Sequence, residues 1–146
     1  MTINVAFFDL GETLLTRRRE SVPGAREVLA ELRRRQVRLG IISNTGDMSR
    51  RAILETLPRD FDLGAFEQRL VIFSSEVGVE KPDPRIFRLS VERASLPAEE
   101  CLFCTENLLH TLAAQQVGMR AARVLPPPGS DVGTLVRELA ASGMLG

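Results

Sequence analysis

The sequence predicts a three-layer, doubly wound (Rossmann-like) α/β fold, built on a mainly parallel sheet of about five strands. Two observations carry this expectation. Short β-rich runs alternate with amphipathic stretches from end to end, and strands separated by helical crossovers pair in parallel. The chain has 146 residues, of which 44% are hydrophobic, close to the commonest domain size and long enough to bury a core without staples. A single domain over 1–146 is therefore expected.

Strands are expected at Ile3 to Phe8, Leu39 to Ile42, Leu70 to Phe73, Cys101 to Phe103 and Arg120 to Val124, where β-branched and apolar residues cluster. The first helix opens at Pro23-Gly24, carries Val28, Leu29 and Leu32 on one face and ends near Arg33 to Arg35, where basic groups complement the helix dipole. Asp47 is a candidate cap for a helix running to Leu57, stopped by Pro58. Pro82 and Pro84 set up a helix carrying Ile86, Phe87 and Leu89. Another is expected from Leu108 to Val117, with Gly118 as its C-cap. The last, Asp131 to Ala141, follows the turn Pro126-Pro127-Pro128-Gly129.

Bulk properties exclude several function classes. Lys plus Arg and Asp plus Glu each number 19 and the pI is about 6.6, so no global field draws the chain to nucleic acid or anionic membrane. No apolar run approaches a membrane span, and the N-terminus lacks the basic start of a signal peptide; a soluble, cytoplasmic protein is expected. Cys101 and Cys104 form a lone C-x-x-C without a second ligand pair, which reads as buried apolar filling rather than a redox or zinc site.

In an open parallel sheet the ligand crevice lies beyond the carboxyl ends of the strands. The first strand runs into Asp9-Leu10-Gly11-Glu12-Thr13-Leu14. The second ends in Ser43-Asn44-Thr45, and the third is followed by Lys81-Pro82-Asp83-Pro84. Each element has an ordinary structural alternative: a turn cap for Asp9, N-cap chemistry for Ser43 to Thr45, a solvated cation for Lys81. Taken together and in order, Phe-Asp-Leu-x-x-Thr-Leu, Ile-Ser-Asn and Lys-Pro-Asp-Pro-x-Ile-Phe resemble the first three motifs of the haloacid dehalogenase (HAD)-like hydrolases. Val117-Gly118-Met119-Arg120-Ala121 resembles the segment that follows, so the likeness covers most of the chain.

The resemblance implies an aspartyl nucleophile at Asp9, phosphate contacts from Ser43, Asn44 and Thr13, and a clamping cation at Lys81. It also implies magnesium, held by Asp9, the Gly11 carbonyl and, one residue off register, Glu106. The departures lie in the acids. Gly11 occupies the general-acid position and cannot transfer a proton. Thr105 and His110 fall where the family places its last two carboxylates, so magnesium binding is expected to be weakened or absent. His110, the sole histidine, fits a surface, core or site residue equally on its chemistry.

Between Leu14 and Leu39, and between Ser43 and Leu70, the chain is too short for an inserted cap domain. An open crevice is expected, suited to a bulky phosphorylated ligand or to closure by a second subunit in a homodimer. Arg17 to Arg19 sit on this rim, although a solvated loop explains them as well. Two functions remain: a phosphohydrolase of weak activity acting through Asp9, or a non-catalytic family member serving as a phosphate-binding or protein-interaction module. A phosphoacceptor receiver domain fits poorly, because Asp9 stands alone after its strand and Ser74-Ser75-Glu76 offers no acceptor aspartate.

Overall fold

A computed structural model of the chain describes residues 2–124 and 134–145. Five strands, β1 (Val5–Phe8), β2 (Arg38–Ser43), β3 (Val71–Phe73), β4 (Cys101–Thr105) and β5 (Arg120–Arg123), form one sheet in the order β3-β2-β1-β4-β5. Every pairing is parallel. The chain moves outward from β1 through β2 to β3, then crosses to β4 on the other side, so strand order reverses beside β1, which is where such folds open a crevice.

The helices are α1 (Ala25–Arg34), α2 (Arg50–Glu55), α3 (Ser74–Val77), α4 (Pro84–Ala94), α5 (Leu108–Gln116) and α6 (Leu135–Ala141). They cover both sheet faces. On one, Leu10, Leu14, Val28, Leu32, Ile53 and Leu139 pack against Ala6, Phe8, Leu39, Ile41 and Phe73. On the other, Ile86, Phe87, Ala113 and Ala114 pack against Val5, Phe7, Ile42 and Phe103. Alternation of side chains along each strand sends neighbours to opposite cores, and it decides the cysteine question. Cys101 and Cys104 are free, fully buried and in opposite cores, so they fill space, as expected, and do not face one another. Burial pushes the Cys101 thiol up to about 11 and the Cys104 thiol higher still, far from the thiolate that redox chemistry needs.

The expected elements are present with shifted ends. β1 starts at Val5 rather than Ile3, and β4 runs two residues further, to Thr105. The α2 cap is Ser49, whose hydroxyl accepts from the Ala52 N–H, rather than Asp47, and the helix ends at Glu55, short of Leu57. One turn of helix, α3, follows β3 directly and was not expected. α4 starts as its sequence dictates, with Pro84 in the first turn and Asp83 accepting from the Arg85 N–H. The proline turn 126–129 and the start of the last helix at Asp131 lie outside the described residues. The β1–β2 connection is taken up by a loop and α1, and the β2–β3 connection by α2 and two 3₁₀ turns, so neither internal segment holds an inserted domain. Among the described residues, no helix is long and apolar enough to cross a membrane.

Candidate active site

Asp9 follows the last residue of β1, and its main-chain N–H donates to the Cys104 carbonyl of β4 at 3.1 Å. This bond fixes the carboxylate over the β1–β4 junction. Oδ1 accepts from the Leu10 N–H at 2.8 Å and pairs with the Lys81 ammonium at 3.0 Å, while Oδ2 accepts from the Thr105 hydroxyl at 3.3 Å.

Lys81 reaches this point from the loop after α3. Its ammonium donates to the Ile42 carbonyl at 2.8 Å, lies 5.2 Å from the centre of the Phe103 ring and is 1% exposed. Burial pushes its pKa below the usual lysine value, and the Asp9 carboxylate pulls it back up. The sequence contained a signal for this role that its motif reading did not use: Lys81 is the chain's sole lysine, every other basic side chain among the 19 being arginine. A compact ammonium on a slender stem fits a buried slot between a carboxylate and a carbonyl, which the planar guanidinium fork does not.

Ser43 is the last residue of β2. It is buried, and its hydroxyl makes no hydrogen bond to any described residue. Asn44, expected to contact phosphate, spends its side chain otherwise: its amide donates to the Lys81 carbonyl at 2.9 Å and its Oδ1 accepts from the Lys81 N–H at 2.8 Å. This two-point clamp holds the lysine loop against β2. Thr45 adds a second latch, its N–H donating to the Ser74 hydroxyl at 2.8 Å and its Oγ1 meeting that of Ser75 at 2.8 Å. Neither latch was legible in the sequence, because side chains that hold another loop's backbone leave no periodic trace.

Thr13 is buried with its hydroxyl unpartnered among the described residues, the condition of a group awaiting a ligand or water. Gly11 does not take the left-handed backbone, and a Cβ built on it meets nothing within 4 Å. The left-handed residue is instead Glu12 at φ 64, and its carboxylate pairs with Arg17 at 3.1 Å. Glu12 is thus occupied on the rim and does not replace the acid missing at position 11. Of the arginine run, Arg19 also turns toward the site: it donates to the Thr56 hydroxyl at 2.6 Å and lines a cleft of about 290 Å³ together with Leu10, Ser43, Asn44, Thr45 and Met48. Arg34 and Arg35 of the second run pair with Glu31 on α1, away from the crevice.

The donor set is poor in carboxylates for a magnesium centre. Hard divalent ions need several oxygen ligands with net negative charge. Here Asp9 is neutralised by Lys81 and its second oxygen meets a neutral hydroxyl. Glu106 is the other carboxylate whose charge reaches Lys81. Among the described residues, no group of three or more His, Cys, Asp or Glu side chains is placed to hold a metal.

The order β3-β2-β1-β4-β5, an aspartate directly after β1, a serine ending β2 and a buried lysine joining them agree with a family comparison: residues 3–118 match the model of the haloacid dehalogenase-like hydrolases. The chain belongs to that family. Among curated relatives, it is 38% identical over 101 residues to a glyceraldehyde 3-phosphate phosphatase of Pyrococcus abyssi, covering 68% of this chain and 40% of that protein. It is 32% identical over 121 residues to a phosphoserine phosphatase of Thermus thermophilus, covering 80% of this chain and 46% of the relative. The chain thus spans about half the length, or less, of these relatives. A HAD family enzyme of Bacteroides thetaiotaomicron, solved with magnesium and inorganic phosphate, superposes with a TM-score of 0.71 at 18% identity, covering 91% of this chain and 98% of that one. At that identity the likeness is one of fold.

Proposed function

We propose that the chain is a HAD-like phosphohydrolase of weak activity, in which Asp9 attacks a phosphoryl group held by Ser43 and Lys81. The carrying observation is the Lys81–Asp9 pair at 3.0 Å, with Lys81 also tied to the Ile42 carbonyl. A buried ion pair often stabilises less than an apolar pair of equal volume, and the residue after Ile42, which Lys81 contacts, is Ser43 with its unpartnered hydroxyl. Oδ1 is committed to two donors, so Oδ2, holding only the long bond to Thr105, is the oxygen free to attack. Attack forms an Asp9 O–P bond and expels the alcohol oxygen without a proton from residue 11. General acid catalysis supplies typically about 10² to 10⁴-fold, so turnover depends steeply on the leaving group, and aryl phosphates react well ahead of alkyl ones.

The Thr105 hydroxyl on Oδ2 favours a second reading, in which the crevice binds phosphorylated ligands without turning them over. One experiment separates the two: phosphate release from an aryl phosphate by wild type and Asp9→Asn, alongside thermal shifts with inorganic phosphate and with beryllium fluoride, each with and without magnesium. Release lost in Asp9→Asn supports hydrolysis. Phosphate-dependent stabilisation without release supports the binding module, and neither response refutes both.

A further inference from the structure

His110 lies in the first turn of α5, where the Asn107 side chain accepts from its main-chain N–H at 3.2 Å. Leu108, Leu109 and Leu112 occupy the exposed face of this helix. The start of the helix is tied to the site, since the Thr105 hydroxyl that donates to Asp9 also accepts from the Asn107 N–H, and the charges of Lys81 and Asp9 act on the imidazole. Its Nδ1 is buried and without a hydrogen-bond partner among the described residues.

That orphaned nitrogen determines where the proton sits. A neutral imidazole carries one N–H, and burying a donor with no acceptor costs its full desolvation. The proton therefore belongs on Nε2, the nitrogen not enclosed in the same way. Charging the ring would add a buried, unsatisfied N–H next to the Lys81 ammonium. Burial, and secondarily Lys81, accordingly pushes the imidazole pKa below its ordinary value, with Asp9 opposing. The ring stays neutral near pH 7, with its one donor on Nε2.

We propose that His110 is a ligand-contacting residue, donating from Nε2–H to a phosphoryl oxygen held at Asp9, Ser43 and Lys81, so that the crevice takes an oxyanion without a metal. This rests on the phosphate-binding reading above. His110 makes a directed contact for which charge is not needed, next to a lysine that already carries the positive charge of the site.

The single histidine makes the test direct. Full-length protein labelled with ¹⁵N-histidine has one imidazole to observe, so it can be titrated with inorganic phosphate in the presence of EDTA while thermal stability is followed in parallel. The expected result is an Nε2–H tautomer in the free protein, and an Nε2 resonance that moves with the same saturation as the melting temperature. His110→Ala should weaken phosphate binding about tenfold or more, the scale of a hydrogen bond to a charged group. His110→Gln, whose amide N–H reaches the same region, should lose less than about threefold. A proton on Nδ1, or an unmoved Nε2 signal while phosphate raises the melting temperature, overturns the role of His110 and leaves the crevice reading standing. Phosphate that changes neither signal overturns both. The wild-type titration decides the matter even if His110→Ala fails to fold.

Discussion

The Asp9–Lys81 pair can be weighed by a double-mutant cycle of wild type, Asp9→Asn, Lys81→Met and the double variant. At the observed 3.0 Å, an effective dielectric of about 20 gives an attraction of about 5.5 kcal/mol. Part of this offsets the desolvation of Lys81, which is nearly inaccessible, while Asp9 keeps 14% exposure and loses less hydration. The Ile42 carbonyl and the Leu10 N–H remain as partners for whichever charge is left, which softens each single substitution. These opposing effects leave a coupling of about 2–3 kcal/mol, below the 3–5 kcal/mol cost of breaking a wholly buried pair. Urea unfolding of all four proteins at pH 7 measures it. Each single variant should be destabilised, and the double variant should lose about 2–3 kcal/mol less than the sum. Additivity within about 0.5 kcal/mol, the behaviour of independent sites, would refute the view that these charges hold one another in place.

Gly11→Asp should fold with stability within about 0.5 kcal/mol of wild type, since a Cβ there meets nothing and the backbone is not left-handed. It should also speed release from alkyl phosphates by about 100-fold, the low end for a general acid, and from aryl phosphates much less; parallel assays on the two substrate types check this. Thr105→Asp places a second carboxylate against Asp9 Oδ2. It should cost about 2 kcal/mol or more without metal and recover most of that in millimolar magnesium, read as a metal-dependent melting shift that wild type lacks. The buried thiols set the alkaline limb of stability: an acid whose folded pKa is raised keeps its proton while the unfolded chain loses it. Stability should therefore fall as pH climbs from the ordinary thiol value of about 9.0 toward about 11 for Cys101. Urea melts at pH 8 and pH 10 should show a smaller loss for Cys101→Ala than for wild type.

The fold was legible because β1 to β4 are short, largely apolar runs and some helices bring their own punctuation: Pro84 opening α4 and Gly118 beyond the end of α5. Boundaries were less so. Asp47 and Ser49 are both good caps, and the side chain that reaches an N–H two or three residues on is decided by loop geometry rather than residue type. The arrangement was legible in part. Asp9 and Lys81 meet at 3.0 Å beside the end of β2, while the Asn44 side chain grips the Lys81 backbone. Arg19 turns to the Ser43 cleft although its neighbours in the run carry no such sign. Motif spacing reports which residues meet at a sheet edge, whereas the direction of a loop side chain depends on partners far away in sequence, here Thr56 for Arg19 and Lys81 for Asn44.

On the proposed reading the site has two deficits, no acid at residue 11 and few metal ligands, and charge decides which weighs more. A phosphoryl dianion about 4 Å from the Asp9 carboxylate meets a repulsion of about 8 kcal/mol at an effective dielectric near 20, and Lys81 at a similar distance returns about the same. The lysine thus offsets the approach of nucleophile to dianion and leaves no surplus for charge developing in the transition state. Ser43, Thr13 and His110 offer only neutral donors, and Arg19, the remaining cation on the cleft, has one of its donors tied to Thr56. Supplying a proton at residue 11 relieves the leaving oxygen but not this shortfall, which is why Gly11→Asp alone is expected to reach only the low end of the general-acid range. It follows that Gly11→Asp and Thr105→Asp together, in magnesium, should raise turnover by more than the product of their separate effects, because the acid acts on a barrier that the metal has first lowered.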